Sequence, residues 1–283
     1  DVVEVVLLAD GTPVAKAEGR EVILPVPDMK LWSPADPYLY GLEIKVLRGG
    51  AEIDAVKGYT AMRKISYARD EAGHKRMLLN NEPLFQYGPL DQGWWPDGLY
   101  TAPSDEALAF DIEKTKEMGF NLIRKHVKVE PARWYWHCDR LGMLVWQDMP
   151  SIADNSLGVW GNRAYDTGTD SRVSDEGKAN YYKEWSEIIA AFKTFPCIVS
   201  WVPFNEAWGQ FDTPAVVKFT RELDPTRLIN PASGGNFDFS AGPEGFGDIL
   251  DVHHYPCPAM NVFERKFVNV LGEYGGIGLP VDG

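Results

Sequence analysis

Two glutamates end apolar runs of the kind that form buried β-strands. Glu206 follows the run 201–205, and Glu273 follows the run 268–272. An unpaired carboxylate beside a buried strand is costly, so we expect each to be held there for a purpose. Two carboxyl groups roughly 5 Å apart, one acting as acid and base and the other as nucleophile, perform retaining glycoside hydrolysis. The sequence predicts that these glutamates form such a pair, although either one alone is compatible with a helix cap or a rim charge.

Strand-like and helix-like segments alternate from residue 84 onward, which is typical of parallel βα units. The predicted strands span residues 84–87, 121–124, 143–146, 198–204, 228–230, 249–252 and 268–271. Predicted helix ends between them lie at Ser104, Gly119, Pro131, Gly142 and Thr213. The pattern favours a (β/α)8 TIM barrel, which carries its catalytic groups at the C-terminal ends of the strands. Because a closed barrel has eight strands, we expect the eighth to be missing.

The first part of the chain has a β pattern instead. Residues 2–9 predict a strand, Asp10-Gly11 predicts a hairpin turn, and residues 38–47 predict a second, alternating strand. Residues 66–82 are polar and predict a connector. We therefore expect two domains, a partial antiparallel β-sandwich over residues 1–68 and a barrel over residues 69–283 that is truncated after its seventh strand.

Composition restricts the partners. The formal net charge of -13 argues against nucleic acid, because phosphate binding needs clustered Lys and Arg. No apolar run reaches membrane-spanning length.

Cys138, Cys197 and Cys257 are widely spaced and predict buried free thiols, which leave the redox compartment open. Because the chain starts at Asp1 rather than methionine, we expect it to have been processed or cut there, which favours the periplasm or secretion over the cytoplasm.

Tryptophans follow several predicted strand ends. Trp94 and Trp95 lie in a turn-rich loop after the first strand, and Trp208 lies beside the first glutamate. The apolar face of a pyranose ring packs well on indole, and loop tryptophans are more often functional than strand tryptophans. These three residues predict a sugar-binding cleft, whereas we expect Trp146 and Trp185 in the core. A carbohydrate is therefore the expected partner, and a homo-oligomer is compatible with the sequence.

Four segments carry motifs. Residues 201–209 read WVPFNEAWG, residues 271–276 read LGEYGG, residues 121–145 read NLIRKHVKVEPARWYWHCDRLGMLV, and residues 31–40 contain LWSP and PYLY. Together they resemble glycoside hydrolase family 2, the β-galactosidase and β-glucuronidase group. The first segment looks like the acid/base motif of that family and the second like its nucleophile motif. The third is similar to its second and third barrel strands, and the fourth to a signature of its immunoglobulin-like domain.

The resemblance implies a TIM barrel preceded by a partial immunoglobulin-like β-sandwich. It also implies a retaining, exo-acting β-glycoside hydrolase of the β-galactosidase type, which cleaves a terminal sugar through a covalent glycosyl-enzyme intermediate. Glu206 would be the general acid/base and Glu273 the nucleophile, with no cofactor. Family members usually begin with a jelly-roll sugar-binding domain, which this sequence does not show. We therefore expect the chain to be a fragment, or the ordered part of a larger protein.

Other predicted site residues surround the glutamates. By the resemblance, Asn205 would hold the sugar 2-hydroxyl and Tyr255 would donate a hydrogen bond to Glu273, although a strand-end turn and a rim tyrosine are compatible alternatives. Arg124, at the end of the second strand, would favour a charged nucleophile, and an internal salt bridge is compatible with that role. The remaining candidates for binding sugar hydroxyls are His126, Asp148 and His254. The family often has a glutamate at the position of Asp148.

Two functions of other classes stay open. The candidates for the metal site of a barrel hydrolase are His126, Asp148, Asp251, His253 and His254. Adjacent histidines on a strand point to opposite faces, so we expect no metal. The missing eighth strand favours a non-catalytic carbohydrate-binding scaffold or an inactive fragment, but retention of both glutamates argues against this for the intact protein. The sugar also stays open, because Lys125 and Lys128 would either hold a glucuronide carboxylate or be solvated loop charges.

Overall fold

The first part of the chain forms an antiparallel sheet. The structure, a computed structural model, describes residues 1–150, 171, 173–206, 209–235 and 247–276 of the 283-residue chain. The strands of this sheet, in spatial order β2-β1-β3-β4, are Val2–Ala9 (β1), Thr12–Glu18 (β2), Tyr40–Arg48 (β3) and Ala51–Thr60 (β4). Asp10 and Gly11 have φ angles of 50° and 79°, which suit a tight hairpin turn. The predicted first strand and turn are confirmed, and the second predicted strand starts at Tyr40 rather than residue 38.

A buried carboxyl group joins this sheet to the rest of the chain. The Tyr59 hydroxyl donates to an Asp139 carboxylate oxygen at 2.7 Å, and the other oxygen accepts the Cys197 N–H at 2.8 Å. The indole N–H of the fully buried Trp32 donates to the Asp139 carbonyl oxygen at 2.8 Å. Burial raises the pKa of Asp139 to about 6. Asp139 therefore fastens the first part of the chain to the barrel.

A hairpin replaces the predicted polar connector. Its strands are Ile65–Arg69 (β5) and Lys75–Leu79 (β6), followed by the short strand Glu82–Pro83 (β7). The prediction of a connector over residues 66–82 was wrong because charged residues in the turn and at the start of β6 obscure two buried apolar positions. Met77 and Leu79 are buried on the inner face, whereas the side chain of Arg76 is 58% exposed. The hairpin spans the proposed domain boundary between residues 68 and 69.

Five parallel strands alternate with helices in the next part of the chain, and two more parallel strands follow within the described residues. The strands are Leu90–Asp91 (β8), Leu122–Lys125 (β9), Leu144–Asp148 (β10), Ile198–Val202 (β11), Leu228–Ile229 (β12), Ile249–His253 (β13) and Val268–Glu273 (β14). Strands β8 to β12 pair in chain order, and β13 pairs with β14, all in parallel. Side-by-side placement of successive parallel strands is the arrangement of a (β/α) barrel, as predicted.

The first barrel strand lies further along the chain than predicted. Residues 84–87 do not form a strand, and Leu90 and Asp91 pair with β9 instead. Gly88 lies at the point of closest approach, since a Cβ atom there would be 1.6 Å from the Leu122 carbonyl oxygen. The backbone starts to pair with β9 only after Gly88, at Leu90 and Asp91. Asp91 therefore lies at the C-terminal end of this strand, at the mouth of the barrel.

Helices cover the strands of the barrel. In the described ranges they are Asp105–Glu117 (α1), Ala132–Leu141 (α2), Asp175–Phe192 (α3) and Thr213–Leu223 (α4). The Ser104 hydroxyl accepts a backbone N–H of the first turn of α1 at 3.2 Å, and Gly142 ends α2 with a φ of 72°, as predicted. The residue that precedes α4 is Asp212 rather than Thr213. Within the described residues, no helix combines the length and apolar character needed to cross a membrane.

The core contains two of the three cysteines. Cys138 and Cys197 are buried free thiols, as predicted, whereas Cys257 is exposed because it lies in the loop after β13. Trp146 and Trp185 are also buried, in agreement with their predicted place in the core.

A groove separates β14 from the beginning of the barrel. Strand β14 pairs with β13 and, through Val268, with Lys75 of β6. Between it and residues 83–90 lies a cavity of about 730 Å³, whose lining includes Tyr255 and Glu273. A closed barrel has another strand at this position. That strand is absent from the part of the chain that the structure describes.

Candidate active site

The two predicted catalytic glutamates lie at the same edge of the barrel. Glu206 follows β11, and Glu273 is the last residue of β14. A carboxylate oxygen of Glu206 lies within 4.8 Å of one of Glu273. The Glu206 side chain is 24% exposed and that of Glu273 is 8% exposed. This spacing fits a retaining pair, for which roughly 5 Å is typical, better than an inverting pair at roughly 6.5–9.5 Å.

The backbone at Glu206 is held in an unusual conformation. Its φ of 47° lies in the left-handed region, which residues other than glycine seldom adopt. The Glu206 N–H donates to the Ser233 carbonyl oxygen at 2.8 Å, and the Ser233 N–H donates to the Phe204 carbonyl oxygen at 2.9 Å. The segment after β11 is therefore fastened to the segment after β12. Conformations of this kind cluster at functional sites.

Arg124, at the end of β9, connects the strands that surround Glu273. The buried guanidinium donates through Nη1 to Glu273 Oε1 at 3.0 Å and through Nη2 to Asn205 Oδ1 at 2.9 Å. Its Nε and Nη2 also donate to the two oxygens of Asp148 at 3.1 and 2.9 Å. Burial lowers the pKa of Arg124. The negative charges of Asp148, Asp251 and Glu273 raise it by a larger amount, so the net shift of the pKa is upward. Arg124 therefore places a permanent positive charge beside Glu273.

Tyr255 contacts the other oxygen of Glu273. Its hydroxyl donates to Glu273 Oε2 at 2.8 Å, although the residue as a whole is 53% exposed. Burial raises the pKa of the Tyr255 phenol, and so do its hydrogen bond to Glu273 and the charges of Glu273 and Glu206. The hydroxyl therefore keeps its proton and remains a donor. The two donors, Arg124 and Tyr255, fix the orientation of the Glu273 carboxylate.

His253 lies between the two glutamates. Its Nδ1 is 3.0 Å from Glu206 Oε1 and 3.4 Å from Glu273 Oε2. The sequence suggests His253 only as a metal ligand, and its place beside the two glutamates was not predicted. The alternation of side chains along β13 was the available signal, since only one of two adjacent histidines can face the mouth. His254 points elsewhere, with its Nδ1 2.7 Å from the Cys257 carbonyl oxygen, and the structure does not bring it to the glutamates.

His126 and Asp148 lie close to Arg124 but differ in what they offer a ligand. His126 Nε2 is 3.7 Å from Glu273 Oε1, and its Nδ1 is 3.0 Å from the side-chain nitrogen of Gln92. Burial lowers the pKa of His126, which favours a neutral ring. Asp148 is only 1% exposed and both of its oxygens bind Arg124. Asp148 therefore supports Arg124 in this structure, and its role as a sugar ligand stays a prediction.

The structure describes two of the three tryptophans that predict a sugar-binding cleft. Trp94 is 54% exposed and packs against Tyr100, with 4.3 Å between ring centroids. Trp95 is paired with Leu99 through two backbone hydrogen bonds. Both tryptophans lie in the loop after β8, at the mouth. Trp208 lies outside the described residues. Sugar binding by Trp94 and Trp95 stays a prediction.

Lys125 and Lys128 are neither solvated nor free. Lys125 is 1% exposed and its Nζ binds Asp91 at 2.6 Å and Glu130 at 3.0 Å. Lys128 is 5% exposed and binds Glu130 at 2.8 Å and the Gly93 carbonyl oxygen at 2.6 Å. The alternative of solvated loop charges was wrong because Asp91, 34 residues earlier, and the nearby Glu130 pair with these lysines in the interior. These ion pairs hold the loop that carries the two tryptophans.

Within the residues that the structure describes, one cluster could hold a cation, and it contains the two glutamates. Within the described ranges, the atoms close enough to share a metal ion belong to Glu206, His253 and Glu273. The metal set considered from the sequence is not brought together, because Asp148 binds Arg124 and His254 points away. The cluster itself offers two carboxyl groups and an imidazole.

Models of one protein family match the chain in two parts. The model described as glycosyl hydrolases family 2 matches residues 3–63. The model described as glycosyl hydrolases family 2, TIM barrel domain, matches residues 74–252. The two matches follow the order of the sheet and the barrel in the structure.

Individual proteins agree with these matches. A Formosa agariphila protein with a provisional β-glucuronidase name is 31% identical over 223 residues, 77% of this chain and 19% of that protein. A β-galactosidase of Lactococcus lactis is 25% identical over 264 residues, 93% of this chain and 24% of that protein. The solved structure of a β-D-glucuronidase of Dictyoglomus thermophilum has the same fold, with a TM-score of 0.74 at 24% identity, and the match covers 89% of this chain and 43% of that one.

The chain thus spans a fifth to a quarter of the length of these two sequence relatives. The barrel-domain match alone extends over more than half of the chain. On this basis the chain belongs to glycosyl hydrolase family 2.

Proposed function

We propose that the protein is a retaining β-glycoside hydrolase that removes a terminal sugar. One observation carries the proposal. Two carboxyl groups from different strand ends lie within 4.8 Å of each other, and Arg124 and Tyr255 bind one of them, Glu273. A sugar with its anomeric carbon between the two groups would be attacked from one face and protonated from the other.

The two steps use Glu206 and Glu273 in turn. In the first step Glu273 attacks the anomeric carbon, the glycosidic C–O bond breaks, and Glu206 gives its proton to the departing oxygen. In the second step Glu206 removes a proton from water, the water oxygen attacks the anomeric carbon, and the bond to Glu273 breaks. Asn205 is placed beside Glu206 in the chain and is oriented by Arg124. It is the proposed ligand of the sugar 2-hydroxyl.

The proposed substrate is a carbohydrate with an uncharged terminal sugar. A glucuronide would need a cation for its carboxylate, and among the described residues the two candidate lysines, Lys125 and Lys128, are already paired with Asp91 and Glu130. This favours a β-galactoside over a β-glucuronide. The activity of the whole protein is part of the same proposal, supported by the names of the longer relatives. The proposed domain division at residue 68 falls between the two family-model matches, residues 3–63 and 74–252.

Azide separates the two catalytic roles in the full-length protein. In a Glu273→Gly variant the nucleophile is lost, so azide should attack the anomeric carbon directly and give an α-glycosyl azide from a β-glycoside. In a Glu206→Ala variant an activated substrate still forms the covalent intermediate, and azide should then give the β-azide. NMR of the products distinguishes the two anomers. Opposite anomers would exchange the roles, and full activity of both variants would reject the pair.

A further inference from the structure

We propose that His253 is a positioning residue for the acid/base glutamate, and that one proton shared between His253 Nδ1 and Glu206 Oε1 is the proton that the leaving group receives. This inference rests on the proposed function and adds a residue that the family motifs do not contain. The distance of 3.0 Å between the two atoms allows a direct hydrogen bond.

A chain of hydrogen bonds fixes the proton on the far side of the ring. The Ser233 hydroxyl donates to Asp251 Oδ2 at 2.6 Å, and Asn230 donates to the same oxygen at 2.7 Å. A hydroxyl has a single hydrogen, so Ser233 Oγ can only accept from His253 Nε2, which is 2.9 Å away. In the neutral ring the proton therefore lies on Nε2. The lone pair of Nδ1 then faces Glu206.

Two glycines make room for this arrangement. A Cβ atom at Gly234 would lie 2.1 Å from His253 Nδ1, and Gly234 has a φ of 59°. A Cβ atom at Gly272 would lie 2.0 Å from Asp251 Oδ1. Any larger residue at either position would displace the imidazole or its anchor. The backbone is thus shaped around the side chains of His253 and Asp251.

The protonation of the ring decides which form of Glu206 is favoured. A neutral ring presents a lone pair and favours the protonated carboxyl group, whereas a protonated ring presents an N–H and favours the carboxylate. Burial lowers the pKa of His253, and the positive charge of Arg124 lowers it too. The hydrogen bond with Glu206 and the negative charges of Asp251 and Glu273 raise the pKa by more, so the net shift is upward. His253 and Glu206 therefore titrate as a coupled pair.

The leaving group of the substrate tests this inference in the full-length protein. Asparagine can place an amide where Nδ1 lies, so His253→Asn keeps a hydrogen-bond partner for Glu206 but cannot hold the shared proton. A phenyl β-glycoside needs the acid and a 2,4-dinitrophenyl β-glycoside does not. We expect kcat/KM of His253→Asn to fall about 10- to 100-fold for the phenyl glycoside, less than the roughly 100- to 10,000-fold that a whole general acid contributes, and to change little for the dinitrophenyl glycoside.

The pH profile gives a second readout. Without the ring, an isolated carboxyl group releases its proton more readily than the pair does, so the basic limb of kcat/KM for the phenyl glycoside should move to lower pH. Ser233→Ala keeps the ring but removes its anchor, and it should show the same leaving-group preference in weaker form. If circular dichroism shows that His253→Asn does not fold, Ser233→Ala takes its place as the test variant.

A parallel Glu206→Ala variant separates this inference from the proposed function. If Glu206→Ala shows the leaving-group preference and both other variants do not, His253 has no role in proton transfer. An equal loss for both substrates in His253→Asn would mean that the ring acts through Glu273 or through folding, which overturns the inference. If Glu206→Ala itself shows no leaving-group preference, the acid/base assignment fails first.

Discussion

Replacing Tyr255 with phenylalanine removes one hydrogen bond and leaves the neighbouring side chains in place. The lost bond joins the phenol to Glu273 Oε2 at 2.8 Å. A hydrogen bond to a charged group contributes about 1.5–3 kcal/mol, which corresponds to about 10- to 100-fold in rate if the bond aims the nucleophile. Because Tyr255 is 53% exposed, the fold should depend little on it. We therefore expect Tyr255→Phe to lower kcat by that factor with little change in melting temperature.

Tyr274→Phe is the matched control, since Tyr274 directly follows Glu273 and is 40% exposed. Its hydroxyl interacts with Tyr87 rather than with Glu273. Both variants are assayed in the full-length protein with an aryl β-glycoside, at saturating substrate, alongside thermal unfolding. Equal rates for Tyr255→Phe and the wild type would refute the role of this hydroxyl in aiming the nucleophile. Equal losses in the two variants would show a general effect on the loop.

Two further predictions concern stability. The pKa of Asp139 is about 6 in the folded protein, against 3.8 ordinarily. The folded state therefore keeps this proton between about pH 4 and 6, where the unfolded state has lost it, and the free energy of unfolding should fall by up to about 3 kcal/mol as pH rises through this window. Asp139→Asn should remove that fall in urea unfolding at stepped pH, and an unchanged slope would contradict it. Gly88→Ala would place a Cβ atom 1.6 Å from the Leu122 carbonyl oxygen and should cost about 3 kcal/mol or more, whereas Gly58→Ala, with no atom within 4 Å of the new Cβ, should cost almost nothing. Similar melting temperatures for these two variants would show that the strands can separate at Gly88 without penalty.

The positions of the two glutamates could be predicted because they depend on topology alone. Uninterrupted apolar runs indicate buried parallel strands, and successive parallel strands bring their C-terminal ends to one edge. Glu206 and Glu273 end two such runs, so their approach required no knowledge of side-chain packing. The hairpin at residues 65–79 was missed for the opposite reason. Within β5 and β6 only Met77 and Leu79 are buried, and the charged residues of the turn and of the start of β6 dominate the local composition.

The surroundings of charged side chains could not be predicted in the same way. Lys125 and Lys128 look like loop charges in the sequence, yet Asp91 lies 34 residues before Lys125 and binds it in the core. A buried cation requires a partner. Sequence spacing does not say which acid supplies it. The partner of Asp148 could not be predicted for the same reason. Its burial against Arg124 depends on the exact pairing of β9 with β10.

The difference between the partners of the two glutamates is the physical basis for assigning their roles. Glu273 contacts Arg124, which carries a permanent charge, and the phenol of Tyr255, which keeps its proton. Fixed donors suit a nucleophile that must stay oriented and unprotonated. Glu206 contacts His253, a group that can gain and lose a proton in the neutral range. A titratable partner suits a residue that must give up a proton in one step and recover it in the next, because acid and base roles separate when two carboxyl groups lie in different surroundings.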